Sequence, residues 1–328
     1  MELPKLAIAA LGGTVSMQST QDGQGVVPAV SGEALLNTVP ELNMLARATV
    51  ESFGLLPSAS LDFEYLLNVL DWANAQISRG VAAVIIIQGT DTLEESATFF
   101  DYLWAHDEPL VLTGAMRSAM QAGADGPANL LDAGRVALAA CSHGRGAQVV
   151  INGEIHRANS VRKVDSMAMH AFASPLTGPA GLLVESAPRY FQPPVARHVL
   201  PMPQDTLPKI ALLEASLGAD SMLLDKIVES GYDGLVIAGF GAGHVSAHWA
   251  EVIEGIARHI PVIIATRTGC GATAQATYGF AGSEIDLTRK GAVMAGFLCP
   301  RKARILLWLL VACRQQAQLV KCLAESTP

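Results

Sequence analysis

Two threonines in this chain stand where an apolar strand should end in a sharp turn, a place from which a hydroxyl can be offered to a ligand. The run Val84-Ile85-Ile86-Ile87 leads through Gln88-Gly89 into Thr90-Asp91-Thr92. Near the start, Leu6 to Leu11 leads through Gly12-Gly13 into Thr14. A threonine hydroxyl becomes a nucleophile only when a neighbour takes its proton, and Asp91 supplies charge and orientation beside Thr90. Glycine turns also bare backbone N–H groups that can hold an oxyanion. The chemistry this suggests is hydrolysis through a threonine nucleophile. Each turn taken alone admits a plainer reading. Thr14 can cap a backbone group at a strand end, and Asp91 can be the N-cap of the helix that runs through Glu94.

Lys163, in Asn159-Ser160-Val161-Arg162-Lys163-Val164-Asp165, reads by itself as a surface lysine. Buried beside Asp91 it would ease removal of a proton from Thr90 or act as the base. No His, Cys, Asp or Glu cluster has metal-ligand spacing, so neither a metal nor a cofactor is expected. Gly239-Phe240-Gly241-Ala242-Gly243-His244 meets a dinucleotide fingerprint only loosely and lies in the later part of the chain. Gly123 to Pro127 reads as a turn, with Pro127 suited to the first turn of a helix.

These residues need a sheet to position them. Apolar runs predict strands at Leu6–Leu11, Val84–Ile87, Leu110–Leu112, Val149–Ile151, Ile210–Leu213, Leu235–Ile237 and Val262–Ile264. Helical spacing predicts Phe63–Ser78, Glu94–Trp104, Pro127–Ala140, Ala219–Glu229 and Ala247–Arg258. Strands separated by helix-length segments imply parallel βαβ units. Prolines at 188, 193, 194, 201, 203 and 208 mark an extended linker. The expected organisation is two-domain α/β. A larger N-terminal parallel-sheet domain spans 1–190, a Pro-rich linker 191–208, and a smaller C-terminal α/β domain 209–328. The stretch 15–32, rich in Gln, Gly, Ser and Thr and placed after Thr14, is expected to be a lid.

The 328 residues are half hydrophobic and 16% charged, ample for a large core. A net charge of −8 gives no reason to expect nucleic acid or an anionic membrane as partner. Five scattered cysteines without a C-x-x-C pair argue against a disulfide framework and for a reducing, cytoplasmic setting. The apolar segment Ile305–Cys313 is too short to span a bilayer. The first apolar run leads straight into the Gly-Gly-Thr turn, so its cleavage as a signal peptide would destroy a strand.

In order along the chain, these motifs resemble those of the bacterial-type L-asparaginases. Leu11-Gly12-Gly13-Thr14 and Gln88-Gly89-Thr90-Asp91-Thr92 are similar to that family's two threonine signatures. Thr113-Gly114-Ala115-Met116-Arg117 with Ala124 to Leu130 is similar to a further block. So are Asn152-Gly153 through Lys163 to Ala171-Phe172-Ala173-Ser174-Pro175, and Arg301-Lys302-Ala303-Arg304 at the start of the family's final helix. The resemblance implies hydrolysis of L-asparagine to L-aspartate and ammonia, with L-glutamine as a second substrate. It implies Thr14 as primary nucleophile under the lid, and Thr90, Asp91 and Lys163 as a second cluster moving protons and orienting water. Asp91 would also grip the α-amino group, Ser58 the α-carboxylate, and the Ala115 carbonyl would approach the amide. Gly13 and Gly89 complete the substrate-binding turns. A homotetramer built as a dimer of dimers, with sites between subunits, is implied too.

The chain departs from the family at several positions. Residues 15–32 contain no tyrosine where the family's lid carries one, and Val26 or Val27 occupies its place. Where many members have serine followed by Gln or Ser and then Asp, this chain has Ser58-Ala59-Ser60, which drops one polar contact. His244 stands where secreted members have an asparagine, and Tyr278 and Glu284 are both candidates for the residue given to the neighbouring subunit. These departures leave open an amidase for a related amide or a catalytically weakened amino-acid-binding homologue.

Overall fold

Apolar strands flanked by amphipathic helices dominate the computed structural model, which describes residues 2–13, 17–19, 26–28, 32–203 and 207–326. The chain divides into two compact units, Met1–Arg197 and His198–Pro328.

The first unit begins with β1 (Lys5–Ala10), β2 (Met17–Ser19), β3 (Val26–Pro28), α1 (Gly32–Asn37), α2 (Leu42–Leu45) and β4 (Arg47–Ser52). It continues with α3 (Phe63–Ser78), β5 (Ala83–Ile87), α4 (Leu93–Leu103), β6 (Leu110–Thr113), α5 (Gly126–Ala137) and β7 (Ala147–Ile151). The short strands β8 (Glu154–Arg157), β9 (Arg162–Lys163), β10 (Phe172–Ala173), β11 (Gly181–Val184) and β12 (Ala187–Tyr190) complete it.

Among the described residues, eight strands form one sheet in the order β12-β11-β8-β7-β6-β5-β1-β4. From β4 to β7 every pairing is parallel. Beyond β7 the sheet is antiparallel, through β8, β11 and β12. The sheet is therefore mixed. The hairpin-linked extension escapes sequence reading because four-residue strands are too short to show a period. Successive β5 side chains point to opposite faces, and all five are buried, so both faces are covered. On one face Leu6, Ile8, Ile85 and Val111 join Leu42 of α2 and Leu130 and Ala133 of α5 in a core. Burying each of these leucine, isoleucine and valine side chains is worth about 1.5–3 kcal/mol before entropy is set against it.

Helix α3 starts where Asp62 accepts the Tyr65 N–H at 2.8 Å, an N-cap that fixes its first turn. Pro127 sits in the first turn of α5. The segment expected as lid holds a hairpin of β2 and β3, with Gln18 opposite Val27; Thr14 and most of 15–31 lie outside the described residues. Part of the proline-rich stretch is a strand, since Pro188 lies in β12 opposite Leu183. An edge strand tolerates proline where no ladder donor is needed.

The second unit contains β13 (Ile210–Glu214), α6 (Met222–Asp225), β14 (Gly234–Gly239), α7 (Ala247–Ala257), β15 (Val262–Thr266), α8 (Glu284–Arg289) and β16 (Val293–Met294). Helices α9 (Pro300–Ala312) and α10 (Leu319–Glu325) follow. Among its described residues, four strands run parallel in sequence order. The helix expected over Ala219–Glu229 shrinks to α6. Asp220 accepts the Met222 N–H at 2.9 Å and starts it late, while Lys226 N–H turns to the Leu223 carbonyl and ends it early. Helix α9 is not the last, because α10 follows it. No helix of the described residues is long and apolar enough to cross a membrane.

Candidate active site

The strand order reverses direction between β1 and β5. From β1 the chain moves outward to β4, and from β5 it moves the other way to β6. Ligands of open α/β sheets bind outside the C-terminal ends of strands at such a switch point. The two threonine turns leave from those two strand ends.

They pack directly against each other. Leu11 N–H donates to the Ile87 carbonyl at 2.9 Å, extending the β1–β5 ladder into the turns. Gly13 has φ +92°, and a Cβ there would stand 2.1 Å from the Gly89 nitrogen. A Cβ on Gly89 would meet the Ser58 hydroxyl at 2.7 Å. Only glycine permits this approach and, at Gly13, this backbone conformation. Thr14 itself lies outside the described residues, but the residue before it is thus seated on the second turn.

Ser58, buried, ties a further loop into the same place. Its hydroxyl accepts the Asp91 N–H at 3.2 Å, and its carbonyl accepts the Thr92 hydroxyl at 3.0 Å. The N-cap position of α4 falls on Thr92, with no side-chain cap bond, so Asp91 is not the cap. Asp91 turns instead toward Lys163. The Lys163 ammonium donates to Asp91 Oδ1 at 3.0 Å and to Thr90 Oγ1 at 2.9 Å. The lysine side chain is 16% exposed and the aspartate 65%, so the pair lies at the rim of the site, with the lysine turned inward. A cation on the Thr90 oxygen stabilises the alkoxide-like charge that proton loss creates.

Lys163 arrives there on β9, a two-residue strand paired with β10. Nothing in the hydropathy of that stretch signals a strand, which is why it reads as a surface lysine from sequence. Its backbone N–H donates to Glu94 Oε2 at 2.5 Å.

Ala115 is fully buried in the loop after β6, beside the second turn. A Cβ on neighbouring Gly114 would lie 3.4 Å from the Thr90 methyl. Asp125 shapes this loop by accepting the N–H groups of Met116 at 2.9 Å and Arg117 at 2.8 Å. Asn129 bridges the Gly114 carbonyl, the Asp125 carboxylate and the Asn152 N–H. In the sequence, Asp125 and Asn129 stand out only as parts of the Ala124 to Leu130 block. An Asp and an Asn four residues apart across a helix start were the available signal.

In the second unit, His244 Nε2 lies 3.3 Å from Glu284 Oε2, and the His244 ring meets Tyr278 and Phe280 edge-on. Glu284 is fully buried and accepts the N–H groups of Thr277 and Tyr278 at 2.6 Å each. Burial works to raise its pKa. The N–H donors of Tyr278, Glu284 itself and Thr277, with the His244 ring, outweigh burial and hold the carboxyl below its ordinary value. Glu284 is thus spent within its own unit, whereas Tyr278 is exposed.

Comparison with known proteins bears on the whole chain. Residues 5–196 match the family model described as asparaginase, N-terminal, and residues 209–323 match that of the glutaminase/asparaginase C-terminal domain. A probable periplasmic L-asparaginase of Haemophilus influenzae is 34% identical, over 94% of this chain and 88% of the relative. A probable L-asparaginase of Deinococcus radiodurans is also 34% identical, over 94% and 93%. The crystal structure of a probable cytoplasmic L-asparaginase from Campylobacter jejuni aligns with a TM-score of 0.88 at 28% identity, covering 98% of this chain and 99% of that one. With both family models spanning nearly its full length, and paired glycine turns at the head of its sheet, the chain belongs to the asparaginase family.

Proposed function

We propose that this protein hydrolyses the side-chain amide of L-asparagine to L-aspartate and ammonia, with Thr14 as nucleophile. The observation that carries the reading is the Lys163 ammonium bonded to both Thr90 Oγ1 and Asp91 Oδ1, on a turn packed against the one that leads to Thr14. In this reading Thr14 Oγ attacks the amide carbon and gives up its proton. The tetrahedral oxyanion is held by N–H groups of the Gly13–Thr14 and Gly89–Thr90 turns. The C–N bond breaks, ammonia leaves with the proton, and water oriented by Thr90 and Lys163 cleaves the resulting ester. Asp91 binds the α-amino group, Ser58 the α-carboxylate, and the Ala115 carbonyl faces the amide nitrogen. Residues 1–190 carry these groups, and 209–328, joined through 191–208, form the second domain. Assembly as a dimer of dimers, and a cytoplasmic location in keeping with the absence of a C-x-x-C pair, belong to the same reading.

The test is steady-state ammonia release from L-asparagine, L-glutamine and N-substituted amides, with single-turnover trapping of an acyl adduct and peptide mass mapping. Turnover of asparagine with an adduct on Thr14 is expected. An adduct on Thr90 in a still-active Thr14→Ala variant reverses the nucleophile assignment. A second reading, an amino-acid-binding homologue with weakened turnover, is motivated by the absence of tyrosine from residues 15–32. Saturable binding of asparagine without ammonia release would favour it.

A further inference from the structure

Glu94 is a carboxylate with 1% of its surface exposed, in the first turn of α4. Burying such a group is costly unless hydrogen bonds compensate. One of them is unusual in where it comes from: Glu94 Oε2 accepts the backbone N–H of Lys163, 69 residues away in sequence, at 2.5 Å.

Strand geometry shows what this bond does. Successive N–H groups of a strand point to opposite sides. Val164 N–H points to β10, donating to the Ala171 carbonyl at 2.7 Å. Lys163 N–H points the other way, where Glu94 stands in place of a neighbouring strand. The two-residue β9 is therefore held between β10 on one side and a carboxylate on the other. A charge-assisted bond to the amide of Lys163 itself fixes the root of a long flexible side chain. Thr90 and Asp91, which the tip of that side chain must reach, precede Glu94 on the same turn and helix.

We propose that Glu94 is a positioning residue, fixing the Lys163 backbone to the start of α4 so that the ammonium meets Thr90 Oγ1 and Asp91 Oδ1. The proposal rests on the assignment of Thr90, Asp91 and Lys163 to amide hydrolysis. Glu94 acts through Lys163, so its removal should slow the chemical step and leave substrate affinity nearly unchanged.

The test uses the full-length protein with Glu94→Met, which fills the space without an acceptor, Glu94→Ala, which empties it, and Glu94→Gln, which keeps a carbonyl oxygen. Lys163→Met and the Glu94→Met/Lys163→Met pair complete a double-mutant cycle. Displacing the lysine by about an ångström should lower kcat about 30- to 100-fold in Glu94→Met or Glu94→Ala, with KM moving less than about threefold. Glu94→Gln should recover about tenfold of that loss, since it can still accept the N–H. In the double variant Glu94→Met should add less than about a twofold loss to Lys163→Met. Amide hydrogen exchange at Lys163 should rise about tenfold or more in Glu94→Met and much less in Glu94→Gln. Fully multiplying losses in the double variant, or unchanged exchange at Lys163, overturns the positioning role alone. Full turnover by Lys163→Met instead removes the lysine from the reaction, and the positioning role falls with it.

Discussion

Gly13 and Gly89 touch through their backbones, with no room for a side-chain atom between them: a Cβ on Gly13 would stand 2.3 Å from the Gly89 Cα. The contact packs the Gly12–Gly13 and Gln88–Gly89 turns directly together. Gly13→Ala combines left-handed strain with overpacking and should cost roughly 2–5 kcal/mol. Gly80→Ala is the control, because Gly80 also has positive φ but open space around it; it should cost about 1–2 kcal/mol. Urea unfolding and ammonia release measure both. A Gly13→Ala protein as stable and active as Gly80→Ala would show that the turns can part without consequence.

Thr90→Val keeps the shape of threonine and removes the hydroxyl, and Lys163→Met keeps the stem and removes the ammonium. Each should lower turnover about 10²- to 10⁴-fold, the range for a lost proton-transfer group. Stability should move by no more than about 1 kcal/mol, because Asp91 is largely exposed and can return to water. Circular dichroism, thermal melting and ammonia assays on both variants decide. Near-normal turnover in either would remove it from the reaction.

Glu284 gives the second unit an acid-sensitive joint. Its carboxyl is held below the ordinary value of 4.5, as burial is outweighed by N–H donors and the His244 ring. A carboxyl whose folded-state pKa is lowered stabilises the fold above its unfolded pKa, and that contribution is lost as pH falls through the folded pKa. Asp286 has the same sign, with burial outweighed by Lys290, the Gly282 N–H and Arg289. Thermal melting should therefore fall as pH is lowered from about 5 to about 3, and fall less steeply in Glu284→Gln. Equal slopes would place the acid sensitivity elsewhere.

The thiols should divide by burial. Cys313 is pushed up to about 11 by burial, and Cys322 is raised by burial and then by the Glu325 charge. Cys141 and Cys270 are exposed, and Cys299 is buried. Only a thiolate reacts readily, so iodoacetamide at about pH 8 should modify Cys141 and Cys270 in the folded protein. The other three should react only after denaturation. Peptide mass mapping reads this directly, and early modification of Cys313 would contradict its burial.

Helix α3 was legible from sequence to its end residues, because Asp62 announces its start and the apolar spacing runs unbroken to Ser78. The central parallel strands β1, β5, β6, β14 and β15 were legible because each is a short apolar run with nearly every side chain buried, whereas the parallel edge strand β4, with Arg47, Thr49, Glu51 and Ser52 exposed, shows no such run. Helix α6 was overread because Met222 and Leu223, apolar but 72% and 71% exposed, imitate a buried face. The candidate site divides in the same way. The turns at Gly13 and Gly89 announce themselves through glycine, whereas the place of Lys163 depends on β9, β10 and Glu94, three pieces no local pattern connects. Asp91 was open to the capping reading because cap and ligand use the same residue type at the same position.

The large sheet also controls what happens at its open ends. In β11, Leu183 N–H donates to the Gly153 carbonyl on the β8 side, so the backbone nitrogen of its β12 partner Pro188 belongs to the outward row. That row has a gap where a proline stands, followed by Arg189. The opposite edge, β4, carries Arg47 and Glu51 among its exposed side chains. A strand from another molecule, seeking to add itself to either border, meets a missing donor at one and charges at the other. In a crowded cell, where newly made chains meet before they finish folding, the borders of this sheet make poor templates for fibre growth.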